Sequence, residues 1–194
     1  MNQNEIRKPK YATILADPPW DINQKGRYGA ENHYDLMPLS RIKAMPVADL
    51  CEENAHLWLW IPNGLLQEGL DVMKAWGFTY RSPFYWVKNR IGLGQYLRNA
   101  SELMLFGTRG KAPVQFRSQP NWGFFPVQDH SHKPEEVYSI IRRVSPGPYL
   151  ELFARRPEPA FDHWGNEIPS DIVIPDYPVP EYSEKAKAFL REEA

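Results

Sequence analysis

The chain of 194 residues carries a formal net charge of −1 and a single cysteine, Cys51. That length supports one domain with a full hydrophobic core, and the lone cysteine excludes an intramolecular disulfide and a cysteine-based zinc site and suits a reducing compartment, the cytoplasm. No apolar run approaches the roughly 20 residues that span a bilayer, and the opening MNQNEIRKPK has no apolar signal core, so neither membrane insertion nor secretion is expected.

YATILA (11–16) is a short apolar, β-leaning run that ends at a pair of prolines and predicts a buried strand. Residues 21–38 carry Gly, Asn and charge without period and read as a long loop; LSRIKAMPVADL (39–50) has a weak helical spacing that Pro46 interrupts. HLWLWI (56–61) predicts a second buried strand. In GLLQEGLDVMKAWGF (64–78), Leu66, Leu70, Met73 and Trp76 fall near a 3.6 period, with Gly77 as the stop, so a helix is expected there. FYWVK (84–88), ELMLFG (102–107) and YLELFA (149–154) are further strand candidates. KPEEVYSIIRRV (133–144) reads as a helix, with Pro134 near its start and two glutamates in its first turn. Strands alternating with helices predict an α/β domain around a mainly parallel sheet. We place it at 1–168, followed by a Pro-rich C-terminal arm at 169–194 that ends in a short helix.

The sharpest local signal is Asp17-Pro18-Pro19-Trp20, just beyond the first strand. Ligands of open α/β sheets bind at the carboxyl ends of strands. Proline lacks an N–H, so the pair presents carbonyl acceptors beside the Asp17 carboxylate and withholds two donors. Such a cluster matches an amino group on an aromatic ring, with the flat Trp20 side chain available to stack on that ring. Holding both N–H bonds favours a pyramidal nitrogen whose lone pair can attack an electrophile such as a methyl sulfonium. An ordinary Asp-Pro-Pro turn with a core tryptophan is the alternative.

The sequence as a whole resembles the MT-A family of S-adenosylmethionine-dependent adenine-N6 methyltransferases. DPPW, HYDLMPLSRIKAMPV, LWLWIPNG, AWGFTYRSPFYWVKN, GQYLRNASELMLFGTRG, SHKPEEVYSIIRRVSPG, LELFARR and WGNE follow in the family's order over roughly residues 11–168. The resemblance implies a Rossmann-like methyltransferase fold in permuted motif order, with the catalytic motif ahead of the cofactor-binding segments. By resemblance, Asp17, Pro18, Pro19 and Trp20 hold and activate the adenine, and Tyr34 and Glu102 lie near the target base. Lys133 matches a lysine between cofactor and substrate. Glu151, Phe153, Arg155, Asn166 and Glu167, together with Asp17 and Lys133, are the implied S-adenosylmethionine-binding positions, of which Arg155, Asn166 and Glu167 match those holding ribose and adenine. Glu167 stands where the eukaryotic family members carry an amide.

From Arg81 to Ser118, seven Lys/Arg (Arg81, Lys88, Arg90, Arg98, Arg109, Lys111 and Arg117) face a single acid, Glu102, a local balance of +6. With Phe84, Tyr85, Trp86, Tyr96 and Phe116 interleaved, this segment suits phosphate neutralisation and base stacking, and Arg90 and Arg98 are its candidate substrate contacts; a solvated basic face is the alternative. Asp129, His130 and His132 read as polar loop residues, with no metal expected. The expected activity is methyl transfer to the N6 amine of adenine in DNA, with the base flipped out or supplied unpaired. The same reaction on RNA and a silent nucleic-acid-binding subunit are the alternatives. With no room for a separate recognition domain, sequence preference is left to loops, to a homodimer or to a partner subunit.

Overall fold

The central strand, β1 (Tyr11–Ala16), is buried along its whole length because every residue in YATILA is apolar, aromatic or a small threonine. In this computed structural model, which describes residues 10–21, 36–92, 94, 96–128 and 132–178, β1 is flanked on both sides by parallel neighbours. The other strands are β2 (Cys51–Ile61), β3 (Thr79–Val87), β4 (Ser101–Arg109), β5 (Trp122–Phe124), β6 (Tyr149–Leu152) and β7 (Phe161–Trp164). They form one sheet of order β5-β3-β4-β2-β1-β6-β7. The β1/β2, β1/β6, β6/β7 and β3/β5 pairings are parallel, and β2/β4 and β3/β4 are antiparallel. The expected mainly parallel α/β architecture is the observed one. The chain leaves β1 toward β2 and returns to its other side with β6, so the carboxyl end of β1 is the switch point at which such sheets open a crevice.

Two-residue alternation splits the core. Leu57, Leu59 and Ile61 of β2 point to the side covered by α1 (Leu39–Ala44), α2 (Val47–Leu50) and α3 (Leu66–Ala75). Trp58 and Trp60 point to the other side, under α4 (Glu136–Val144). The α4 residues Val137, Ile140, Ile141 and Val144 recur at helical spacing and form its buried stripe. α3 ends as its sequence requires. Gly77 takes φ +83°, its N–H bonds to the Lys74 carbonyl and that of Phe78 to the Met73 carbonyl, the paired bonds of a glycine-terminated helix. A side chain at Gly69 would come within 2.7 Å of Ile61, so glycine there lets α3 lie close on the sheet.

The structure extends several expected elements and adds two. β2 begins at Cys51, five residues before the apolar run, and β3 begins at Thr79 rather than at Phe84. Neither β5 nor β7 was marked by an apolar run. The segment expected as an arm after residue 168 lies against the domain as far as it is described. Ile174 and Tyr177 are buried, Asp171 accepts from the His163 backbone N–H at 2.7 Å, and the Tyr177 hydroxyl donates to the Arg41 carbonyl. Residues 179–194, with the expected terminal helix, lie outside the described residues. Among the described residues no helix is long and apolar enough to cross a membrane.

At the end of the sheet opposite the β1 carboxyl terminus, His56 is wholly buried. Its Nε2 lies 2.9 Å from the Ala112 carbonyl, which can only accept, so that nitrogen carries the proton. Nδ1 then accepts from Ser145 Oγ at 2.8 Å, and the same oxygen accepts the Trp58 indole N–H at 2.9 Å. Burial pushes the His56 imidazolium pKa down from 6.5, only partly offset by the Ala112 bond. A Ser145→Ala variant leaves two buried groups without their partner and is expected to lose roughly 1–3 kcal/mol in urea unfolding. In the parent protein this histidine contributes a loss of stability as pH falls below 6.5, because the unfolded chain takes up a proton there before the folded one does.

Candidate active site

Beyond Ala16 the β1 ladder stops, since neither Pro18 nor Pro19 has an N–H to give it. The chain turns tightly. Trp20 N–H bonds to the Pro18 carbonyl at 2.8 Å, and Met37 N–H bonds to the Pro19 carbonyl at the same distance. Each proline carbonyl has thus used one lone pair within the fold and keeps one for a ligand. The Trp20 ring is 5% exposed, and its indole N–H donates to the Trp60 carbonyl at 3.0 Å. Its stacking role is therefore corrected: the ring packs in the core beneath the Asp17 turn and offers no open face.

The expected carboxylates and lysine converge on the α4 side of the sheet. Lys133, just before α4, places Nζ 2.8 Å from Asp17 Oδ2 and 3.2 Å from Glu102 Oε2. The other oxygen of Glu102 receives Lys88 Nζ at 2.5 Å. Lys88, at the end of β3, was read only as part of a basic segment; the structure makes it a member of this cluster. Burial pushes the Glu102 carboxyl up, but Lys133 and Lys88 together outweigh burial and hold it below the usual carboxylate range.

Glu151, on β6 in register with Leu15 of β1, faces the same side. The Tyr138 hydroxyl lies 3.1 and 3.0 Å from its two oxygens. Burial, reinforced by Asp17 and Glu158 against the opposing effects of Tyr138 and Lys133, pushes its pKa up to about 8. Tyr138 is pushed up as well, mainly by burial and by Glu151.

The remaining cofactor candidates line the ends of β6 and β7. Phe153 takes φ +64° and packs edge-on against Trp164. A left-handed backbone at a bulky aromatic is the kind of local strain that collects at binding sites. Arg155 Nε donates to Glu167 Oε1 at 2.5 Å, and Asn166 lies in the same bend as Glu167. A side chain at Gly165 would meet the Ala154 carbonyl oxygen at 1.8 Å, so only glycine lets these two loops touch. The residues fit S-adenosylmethionine by chemical type: Lys133 suits a carboxylate, Asp17 and Glu151 suit cationic groups, and Asn166 and Glu167 suit adenine and ribose.

Other expected contacts fall elsewhere or outside. Arg90 and Arg98 are exposed in the loop between β3 and β4, where Arg98 Nε donates to the Gly92 carbonyl at 2.7 Å. Phe84 and Trp86 are buried under α4 and cannot stack on a base, which corrects that part of the aromatic reading; Tyr85 and Tyr96 are exposed. Tyr34, Asp129 and His130 lie outside the described residues, and the His132 ring contacts Arg156. Among the described residues no group of three or more His, Cys, Asp or Glu side chains could hold a metal ion.

A family model described as MT-A70 matches residues 11–167. The chain is 31% identical to the N(6)-adenosine-methyltransferase catalytic subunit METTL3 of Homo sapiens, over 82% of this chain and 28% of that protein. Identity to the N(6)-adenosine-methyltransferase MT-A70-like protein of Drosophila melanogaster is 32%, over 82% of this chain and 27% of the relative. Identity to the type II methyltransferase M.MunI of Mycoplasma sp is 27%, over 88% of this chain and 84% of that protein. The chain thus spans about a quarter of the first two relatives and most of the third.

The raised pKa of Glu151 gives a measurable signature. The unfolded chain ionises this carboxyl near 4.5 and the folded one near 8, so its contribution to stability falls as pH rises between those values. In thermal melts of the protein alone, Glu151→Gln is expected to remove that decline, so that the variant gains relative to the parent between about pH 5 and about pH 9.

Proposed function

This chain belongs to the MT-A70 family, and from that premise we propose that it is an S-adenosylmethionine-dependent methyltransferase acting on the N6 amine of adenine in DNA. The observation that carries the proposal is the Asp17 carboxylate at the sheet's switch point, beside two proline carbonyls and 2.8 Å from Lys133. DNA is favoured over RNA by the relative of comparable length, a type II methyltransferase. The RNA reading draws on relatives named adenosine-methyltransferases, of which the chain spans only a part.

Lys133, Glu151, Phe153, Arg155, Asn166 and Glu167 would hold the cofactor, which supplies an electrophilic methyl group on a sulfonium sulfur. Asp17 accepts an N–H from the target amine, and a free lone pair on Pro18 or Pro19 accepts the second. With both protons held, the nitrogen lone pair is released from the ring and aimed outward. Asp17 is also placed to take the proton that nitrogen loses. Lys133 holds one oxygen of the Asp17 carboxylate, which has further lone pairs for the amine, and Glu102, 3.2 Å from the same ammonium, gives Lys133 a second carboxylate partner. The work of this site is to orient and desolvate an otherwise poor nucleophile. Arg90 and Arg98 hold the phosphate backbone, and loops, a second copy or a partner chain set the sequence preference.

The test is nucleoside mass spectrometry after incubation with S-adenosylmethionine and duplex DNA, single-stranded DNA or RNA. N6-methyladenine is expected in a DNA pool and is expected to fall at least about 100-fold with Asp17→Ala. Product confined to RNA would move the substrate assignment, and undiminished product from the variant would overturn the role of Asp17. Replacing both Arg90 and Arg98 by Gln is expected to reduce the slope of log K against log salt by roughly 1.5, read by fluorescence anisotropy on labelled DNA.

A further inference from the structure

We propose that Lys88 is a positioning residue of this site: by clamping one oxygen of Glu102, it fixes the other as the anchor that keeps Lys133 beside Asp17. The inference rests on the methyltransferase reading for its catalytic consequence, but its structural content stands on the side chains alone.

The cluster alternates in charge, Lys88, Glu102, Lys133, Asp17, with successive contacts of 2.5, 3.2 and 2.8 Å. Its members come from four places: the end of β3, the start of β4, the turn before α4 and the end of β1. Lys88 and Glu102 are tied by backbone as well as by charge, since the Lys88 N–H bonds to the Ala100 carbonyl and β3 pairs with β4 through Val87 and Ser101. The Lys88 ammonium also lies 4.5 Å from the centroid of the Trp86 ring, which is itself fixed by its indole bond to the Phe125 carbonyl at 2.7 Å. Packing against that buried ring restricts the lysine's own rotamers, so its charge is held rather than mobile.

Glu102 has two oxygens and two cations, one on each. Lys133 bridges two carboxylates, and an amine that draws on the Asp17 charge weakens one of these two holds. Glu102 then carries more of the hold on the ammonium, and it does so while ionised and fixed in rotation. Among the described residues, the charged groups facing Glu102 are Lys88 just after β3 and Lys133 from the turn before α4, with Asp17 just after β1 behind Lys133. Without Lys88, the burial that raises the Glu102 carboxyl is opposed by one cation instead of two. The carboxyl then protonates at higher pH and swivels on a single contact. Lys88 touches neither reacting atom in this arrangement; its effect passes through Glu102.

The experiment compares the full chain with Lys88→Met, Lys88→Arg, Glu102→Gln and the Lys88→Met/Glu102→Gln pair. The first readout needs no turnover: in carbon-13 NMR of the protein with labelled glutamate, the Glu102 carboxyl, assigned by its loss in Glu102→Gln, is titrated. Lys88→Met is expected to raise its midpoint by roughly one pH unit, with Lys88→Arg close to the parent. The second is the pH profile of methyl transfer, whose acid limb should move upward with Lys88→Met and be restored by Lys88→Arg. In the double variant Lys88→Met should add little to Glu102→Gln, because the two act as one unit. An unchanged Glu102 midpoint in a folded Lys88→Met protein overturns the proposal, as does full additivity of the two substitutions. A shifted midpoint in a protein that makes no methylated product in any pool upholds the clamp and instead defeats the methyltransferase reading.

Discussion

The fold is organised by the burial of one six-residue strand. β1 is hydrogen-bonded on both edges and covered on both faces, so the first residue able to carry a charge into solvent on that path is Asp17. Its neighbours in the sheet then decide what Asp17 meets. β6 brings Glu151 and the Phe153 turn to one side, while β2 and β4 bring Trp60 and Glu102 to the other, and the chain before α4 drops Lys133 between them. A different strand order would separate carboxyls that here share one cation.

The proline pair acts through what it lacks. With no N–H at two successive positions, β1 cannot continue its ladder, and the chain closes a three-residue turn in which Pro18 accepts from Trp20. The buried Trp20 ring, tied to Trp60, makes that turn rigid from below. In the proposed reaction such a fixed turn would count for more than an exposed stacking surface, because acceptors select a pyramidal amine only if they do not relax toward the planar one.

Much of this was legible in the residues. Strands showed as short apolar runs between prolines and glycines, α3 showed by its period and Gly77, and α4 by Pro134 and its acidic first turn. The Asp17 turn was legible because two prolines end the apolar run at the carboxyl end of a strand and place carbonyl acceptors beside a carboxylate. What escaped is equally physical. β5 and β7 are three and four residues long, too short to show a period, and β7 buries Phe161 and Trp164 on opposite faces, so no single-faced alternation exists to find. Phe84 and Trp86 looked like stacking residues because they sit among cations in sequence, yet strand alternation sends them under α4 and leaves Tyr85 outside. Lys88 lay hidden for the same reason: a count of charge along the chain cannot reveal that one lysine of the basic segment turns inward onto its only acid.

Two part-buried carboxyls of the site show how composition and placement divide the control of charge. Glu102 and Glu151 are the same side chain under comparable burial, and burial raises both. Glu102 has a lysine on each oxygen and stays ionised. Glu151 has a phenol for a direct partner, with Asp17 and Glu158 opposing its charge, and keeps its proton into neutral pH. Of these two carboxyls, Glu102 is thus the fixed anion beside Lys133 and Glu151 the conditional one on the β6 side. By linkage, a cation brought against Glu151 must favour its ionised form, so binding a sulfonium or ammonium group there and releasing a proton become one coupled event. Such a site does not carry the cost of a second buried charge until the charge that compensates it has arrived.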